Sequence, residues 1–215
     1  MKPKVKHIFE ELFTGYPRLG ECRRSIGEAF TLLKRCYENG GKVLICGNGG
    51  SAADSEHIVG ELMKGFLLKR ELDGEAVEKL KNAFPEDGEY LSRHLQGALP
   101  AISLASHSAL VHAFINDVAP DMAFAQQVYG YARKGDVLIG LSTSGSSKNV
   151  VNAIKASRAF GLGTVGMTGA DGGALRDLCD ITIRVPARDT YAVQEYHLPV
   201  YHALCAMLEE EFFGR

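Results

Sequence analysis

The chain has 215 residues, 46% of them hydrophobic, which is enough to bury one substantial core and to fill a single domain. Its 24 Lys and Arg nearly balance its 26 Asp and Glu, for a formal net charge of -2. No global basic field therefore draws it to nucleic acid or to an acidic membrane, and any anion site must be local.

Residues 3–39 predict two helices, with Val5, Ile8, Phe9 and Leu12 and then Ile26, Phe30, Leu33 and Tyr37 at helical spacing, and Pro17 between them. Gly40 and Gly41 end the second, since glycine readily takes the left-handed conformation of a C-cap. An apolar run at 42–46 (KVLIC) reads as a buried strand. Four more follow at 101–105 (AISLA), 136–141 (DVLIGL), 163–167 (GTVGM) and 181–185 (ITIRV), and a last helix covers 191–213. Helical segments between the runs imply an α/β fold: a three-layer, doubly wound parallel sheet, flavodoxin-like or Rossmann-like, buried on both faces. Residues 69–99 stand outside this pattern. They carry Asp73, Glu75, Glu78, Glu86, Asp87 and Glu89 with weak amphipathicity around Pro85 and Gly88, and predict an inserted helical hairpin, either a surface decoration or a lid over a site.

The five cysteines, Cys22, Cys36, Cys46, Cys179 and Cys205, are odd in number and lack CxxC spacing. No secretory leader and no uninterrupted apolar run of about 18 residues is apparent. Free thiols, a reducing compartment and a cytoplasmic, membrane-free protein are expected.

Two loops carry chemistry. Ser142, Thr143, Ser144, Gly145, Ser146 and Ser147 lie between a strand and a helix, placing five hydroxyls beside the N–H groups of a helix's first turn as a neutral cradle for a phosphate dianion. Gly47, Asn48, Gly49, Gly50 and Ser51 also join a strand to a helix, and the glycines allow a ligand close to the backbone. Neither loop is a Walker sequence, and the strand leading to Ser106 and His107 lacks the acidic residue that holds a ribose, so no nucleotide cofactor is expected. His57 and Glu61, four apart on the helix after the glycine loop, share a face turned toward the ligand crevice. Gln194, Leu198 and His202 form an i, i+4, i+8 series on the terminal helix, interrupted by Pro199.

Taken in order, residues 46–54 (CGNGGSAAD), His57 with Glu61, Asn116 with Asp117, the 142–147 loop and 194–202 (QEYHLPVYH) resemble the sugar isomerase (SIS) domain family and, within it, the phosphoheptose isomerases. The resemblance spans the chain except for 69–99. It implies a single SIS domain over residues 1–215, a phosphorylated sugar as substrate and aldose–ketose isomerisation, with sedoheptulose 7-phosphate the expected ketose. It also implies a zinc site at His57, Glu61, Gln194 and His202, with Glu61 and His202 as the acid/base pair. Asn48, Gly49, Gly50, Ser51, Glu61, Asn116, Asp117, Ser142, Thr143, Ser144, Ser147 and Gln194 are the expected substrate contacts, and a homo-oligomer, dimer or tetramer, is the expected assembly. The alternative is a non-catalytic SIS protein, a phosphosugar-sensing regulator or a partner of a replication initiator. Such relatives need not keep the acid/base pair, and this chain has both Glu61 and His202.

Overall fold

A computed structural model of the protein describes residues 1–214. Helices α1 (Pro3–Gly15) and α2 (Arg23–Glu38) are joined by a 3-10 turn at Pro17–Cys22. Strand β1 (Val43–Cys46) leads into α3 (Gly50–Met63), and the insertion follows as α4 (Gly74–Ala83) and α5 (Gly88–His94). The remaining elements are β2 (Ala101–Ser103), α6 (Ser108–Asp117), α7 (Ala123–Tyr131), β3 (Val137–Leu141), α8 (Lys148–Ala159), β4 (Gly163–Thr168), α9 (Leu175–Leu178), β5 (Ile181–Arg184) and α10 (Thr190–Phe213). The expected helices, strands and inserted hairpin are all present.

All five strands are parallel, in the order β2-β1-β3-β4-β5. The pleat sends alternate side chains to opposite faces. Val43 and Ile45 of β1, with Val137, Ile139 and Leu141 of β3, pack against Ile26, Phe30, Ile58, Leu62, Val200 and Leu204 from α2, α3 and α10. Leu44, Cys46 and Leu138 face the other way, onto Phe124, Val128, Val150 and Ile154 of α7 and α8. Burial on both faces explains why the strands read as unbroken apolar runs rather than as alternating ones. α10 is buried along much of its length, from Val193 to Glu210, so its pattern is apolar on more than one side.

Helix α4 of the insertion stays at the surface, while Arg70 at the insertion's start is buried. Asp73 caps α4 by accepting from Ala76 N at 2.7 Å, and no residue of α4 is buried. Its base is closed by Gly97 N donating to the Arg70 carbonyl at 2.9 Å and Gly65 N donating to Gln96 Oε1 at 2.7 Å. Among the described residues all five cysteines are free, and burial pushes their thiols up, Cys22 and Cys36 to about 11 and Cys179 to about 12, which favours the protonated form. No helix among the described residues is long and apolar enough to cross a membrane.

Strand order reverses at β1, whose neighbours are β2 on one side and β3 on the other. The loops leaving the carboxyl ends of β1 and β3 therefore border the crevice where such sheets bind ligands.

Candidate active site

Those two loops are the glycine and serine loops. They are tied across the crevice by a reciprocal amide pair: Asn48 Nδ2 donates to Asn149 Oδ1 at 2.9 Å, and Asn149 Nδ2 donates to Asn48 Oδ1 at 2.8 Å. Gly49 sits at φ +56, a conformation that leads the chain from loop into α3 and disfavours any side chain. Ser51 is buried behind it.

In the serine loop the hydroxyls divide between support and display. Ser142 is buried, its Oγ 3.0 Å from Ser147 Oγ, and it also accepts from Ser147 N at 3.4 Å. Ser144 Oγ accepts from Ser146 N at 3.2 Å, and both serines remain exposed, with Thr143 and Ser147 half-buried. The loop rests on a second one at 169–173. Gly169 N donates to the Thr143 carbonyl at 3.0 Å and Leu175 N to the Gly145 carbonyl at 3.0 Å. Gly145, at φ +66, lies so close to this support that a Cβ would collide with the Gly172 carbonyl.

The titratable cluster forms where α3 and α10 lie side by side. His57 Nε2 is 3.0 Å from Glu61 Oε1 and 3.4 Å from His202 Nε2, and one ligand-type atom from each of the three residues lies within 4.8 Å of the others. Glu61 is largely buried, its side chain 13% exposed against 43% for His57, and Glu61 Oε2 is buried with no hydrogen-bond partner among the described residues. Burial, then the neighbouring His57 charge, lowers the His202 imidazole below its usual range, against a smaller upward pull from Glu61. A convergence of two imidazoles and a carboxylate with an unpartnered buried oxygen suits a small divalent cation.

Behind His57, Tyr201 Oη lies 3.0 Å from Nδ1 and donates to Asp54 Oδ1 at 3.2 Å. Burial, then the Asp54 charge, pushes the Tyr201 hydroxyl up, so it keeps its proton. Burial also raises the Asp54 carboxyl, against the Tyr201 hydrogen bond and the His57 charge. The end of α3 is braced by a buried ion pair. Arg70 Nε donates to Glu209 Oε1 at 2.7 Å, and the guanidinium also donates to the Leu62 and Glu61 carbonyls at 2.6 and 2.7 Å. Glu209 further accepts from the backbone N–H groups of Phe66, Leu67 and Leu68. The last carbonyls of the helix carrying Glu61 thus find donors within the protein.

Gln194 lies at the start of this arrangement, packed so closely on Gly50 that a Cβ there would sit 2.6 Å from Gln194 Nε2. It is eight residues before His202, about 12 Å along α10 by helical rise. Asn116 and Asp117 end α6 exposed, bonded to each other at 2.8 Å. His197 is fully buried, with no hydrogen bond to either ring nitrogen from the described residues. Burial pushes its imidazole down to about 4, opposed by the nearby Thr168 backbone, which lies outside hydrogen-bonding geometry. Asn149, Asp54, Tyr201, Arg70 and Glu209 were not predicted. Only Asp54 left a local signal, three residues before His57 on the same helix face.

Comparison with known proteins gives the family. Residues 19–96 and 81–169 match the family described as SIS domain. The chain is 36% identical over 210 residues, 98% of either sequence, to the phosphoheptose isomerase of Rhodospirillum rubrum, and 38% identical over 192 residues, 89% of either, to that of Nitratiruptor sp.. The structure of the phosphoheptose isomerase from Neisseria gonorrhoeae superposes with a TM-score of 0.71 at 31% identity, covering 95% of this chain and 97% of that one. The enzyme from Francisella tularensis gives 0.74 at 28% identity, covering 96% and 97%.

Proposed function

Because the chain belongs to the SIS-domain family and, within it, to the phosphoheptose isomerases, we propose that it interconverts sedoheptulose 7-phosphate and D-glycero-D-manno-heptose 7-phosphate. The observation that carries this reading is the His57, Glu61 and His202 cluster, two helical turns along α3 from the glycine loop. His57 lies seven residues beyond Gly50, about 10 Å by helical rise.

The phosphate is held by the exposed hydroxyls of Ser144 and Ser146, with Thr143 and Ser147, at the N-terminus of α8, while Ser142 orders the loop from beneath. This remote grip fixes the position of the reacting carbons. Glu61 takes a proton from C1 of the ketose while His202 donates one to the C2 oxygen, giving the enediol. His202 then removes the C1 hydroxyl proton as Glu61 returns its own to C2, leaving the aldehyde at C1. The unpartnered Glu61 Oε2 is the oxygen free to carry that proton. His57, Glu61 and His202, with Gln194 as a fourth donor, would hold zinc, which when bound supplies polarisation of a carbonyl. Asn48, Asn116 and Asp117 are assigned to the sugar hydroxyls.

We assign the protein to the cytoplasm and to a homo-oligomer. In support, α6 is apolar in sequence yet contributes no buried residue, with Leu110 and Ile115 exposed. The test is incubation with sedoheptulose 7-phosphate and shorter ketose phosphates, with and without zinc, followed by NMR. Selective production of the heptose is expected, and binding of every ketose with conversion of none would replace the isomerase by a sensing protein.

A further inference from the structure

We infer that Asn149 is a positioning residue for sugar recognition: it holds the side-chain amide of Asn48 in one orientation, so that the glycine loop meets a sugar hydroxyl with a defined donor and a defined acceptor. Asn149 is the second residue of α8, just beyond the serine loop, and Asn48 lies in the loop that leaves β1. The pair therefore joins the loops of two neighbouring strands across 101 positions of sequence. The backbone of Asn48 is held separately, its carbonyl accepting from Ser51 N at 3.0 Å and the chain turning at Gly49 with φ +56. What remains to be set is the amide.

Hydrogen-bond counting gives its orientation. A backbone N–H only donates, so the Asn149 atom 3.0 Å from Val150 N is the oxygen. That oxygen also accepts from Asn48 Nδ2 at 2.9 Å, which leaves Asn149 Nδ2 to donate to Asn48 Oδ1 at 2.8 Å. Turning over either amide alone would set oxygen against oxygen and nitrogen against nitrogen, and turning over both would put an Asn149 N–H against the Val150 N–H. The start of α8 depends on the same atom. Ser147, the residue before the helix, makes no side-chain cap, its hydroxyl lying 3.0 Å from Ser142 Oγ, and the Asn149 oxygen takes the Val150 N–H in its place. An amide has two N–H groups and two carbonyl lone pairs, so the exposed Asn48 keeps one of each for a ligand in the crevice.

The inference rests on the assignment of Asn48 to a sugar hydroxyl, and inorganic phosphate, which offers the serine loop no sugar, separates the two. The experiment is calorimetric titration of sedoheptulose 7-phosphate and of inorganic phosphate into the full-length Glu61→Gln protein, chosen to keep heat of turnover out of the signal, alone and combined with Asn48→Ala, Asn149→Ala or both. Asn149→Ala should weaken the ketose phosphate about three- to tenfold, the worth of one net hydrogen bond, and inorganic phosphate less than about twofold. The double variant should bind the ketose phosphate no more weakly than Asn48→Ala, because Asn149 then has nothing left to position. Should Asn149→Ala fail to fold, Asn149→Asp keeps the acceptor for Val150 N but has no N–H for Asn48 Oδ1, and it should likewise weaken the ketose phosphate more than inorganic phosphate. Equal losses for the two ligands in Asn149→Ala, or additive losses in the double variant, would overturn the inference while leaving Asn48 as a sugar contact. Unchanged ketose phosphate affinity in Asn48→Ala would remove that contact and the inference with it. A wild type that converts no ketose, with the pattern of affinities intact, would remove the isomerase and leave the positioning role standing.

Discussion

The phosphate loops and the imidazole–carboxylate cluster share one crevice but are built by different means. The serine loop is local. Five hydroxyl residues lie within six consecutive positions, and the loop's internal hydrogen bonds span two to five positions, with the 169–173 loop as support. The cluster joins residues about 145 positions apart, and what holds it comes from α3, α10 and the 64–70 segment that returns onto α10. A local, exposed loop is expected to tolerate single substitutions as losses of affinity, whereas the cluster should respond in turnover or in stability.

The largest effect should come from Glu61→Gln, which removes the base and lowers turnover by about 10²–10⁴ while the loops still hold the phosphate. Next is Arg70→Ala. It strands the Glu209 carboxylate, whose side chain is 1% exposed, and should cost about 3–5 kcal/mol in urea unfolding. If that variant is destabilised by less than about 1 kcal/mol, the bracing of α3 is not what holds the cluster.

His197 sharpens the comparison through pH. Its folded-state value of about 4 lies below the usual 6.5, so the unfolded chain binds the proton more tightly. Stability is therefore undiminished by this group above pH 6.5 and falls progressively as pH drops toward 4, by roughly 3 kcal/mol in all. His197→Leu should flatten this acid limb of the stability curve, and an unchanged limb would assign the acid loss to other groups. The smallest effect is expected at the exposed loop. Ser144→Ala should raise KM about tenfold for the loss of one charge-assisted hydrogen bond, with stability changed by less than about 0.5 kcal/mol.

The same division explains what the sequence made legible. The five strands were readable within a residue or two because β1 and β3 are buried on both faces and leave unbroken apolar runs. The two loops were readable because their residues are consecutive. His57 and Glu61 share a helix face, so their spacing alone paired them. By contrast, Glu209 begins a run of three glutamates that locally looks like a solvated surface, and only the return of residues 64–70 onto α10 buries it. Tyr201 is one more aromatic on an apolar helix until α3 brings Asp54 and His57 to its hydroxyl. Gln194 and His202 share a series along α10, and Gln194 is also packed against Gly50 at the mouth of the glycine loop.

The most direct test of a holding region separate from a reacting region is steady-state kinetics with sedoheptulose 7-phosphate for the wild type, Glu61→Gln and Ser144→Ala, followed by NMR of the product heptose. The expected outcome is a fall in kcat at nearly unchanged KM for Glu61→Gln and a rise in KM at nearly unchanged kcat for Ser144→Ala. Wild-type turnover by Glu61→Gln would contradict the account.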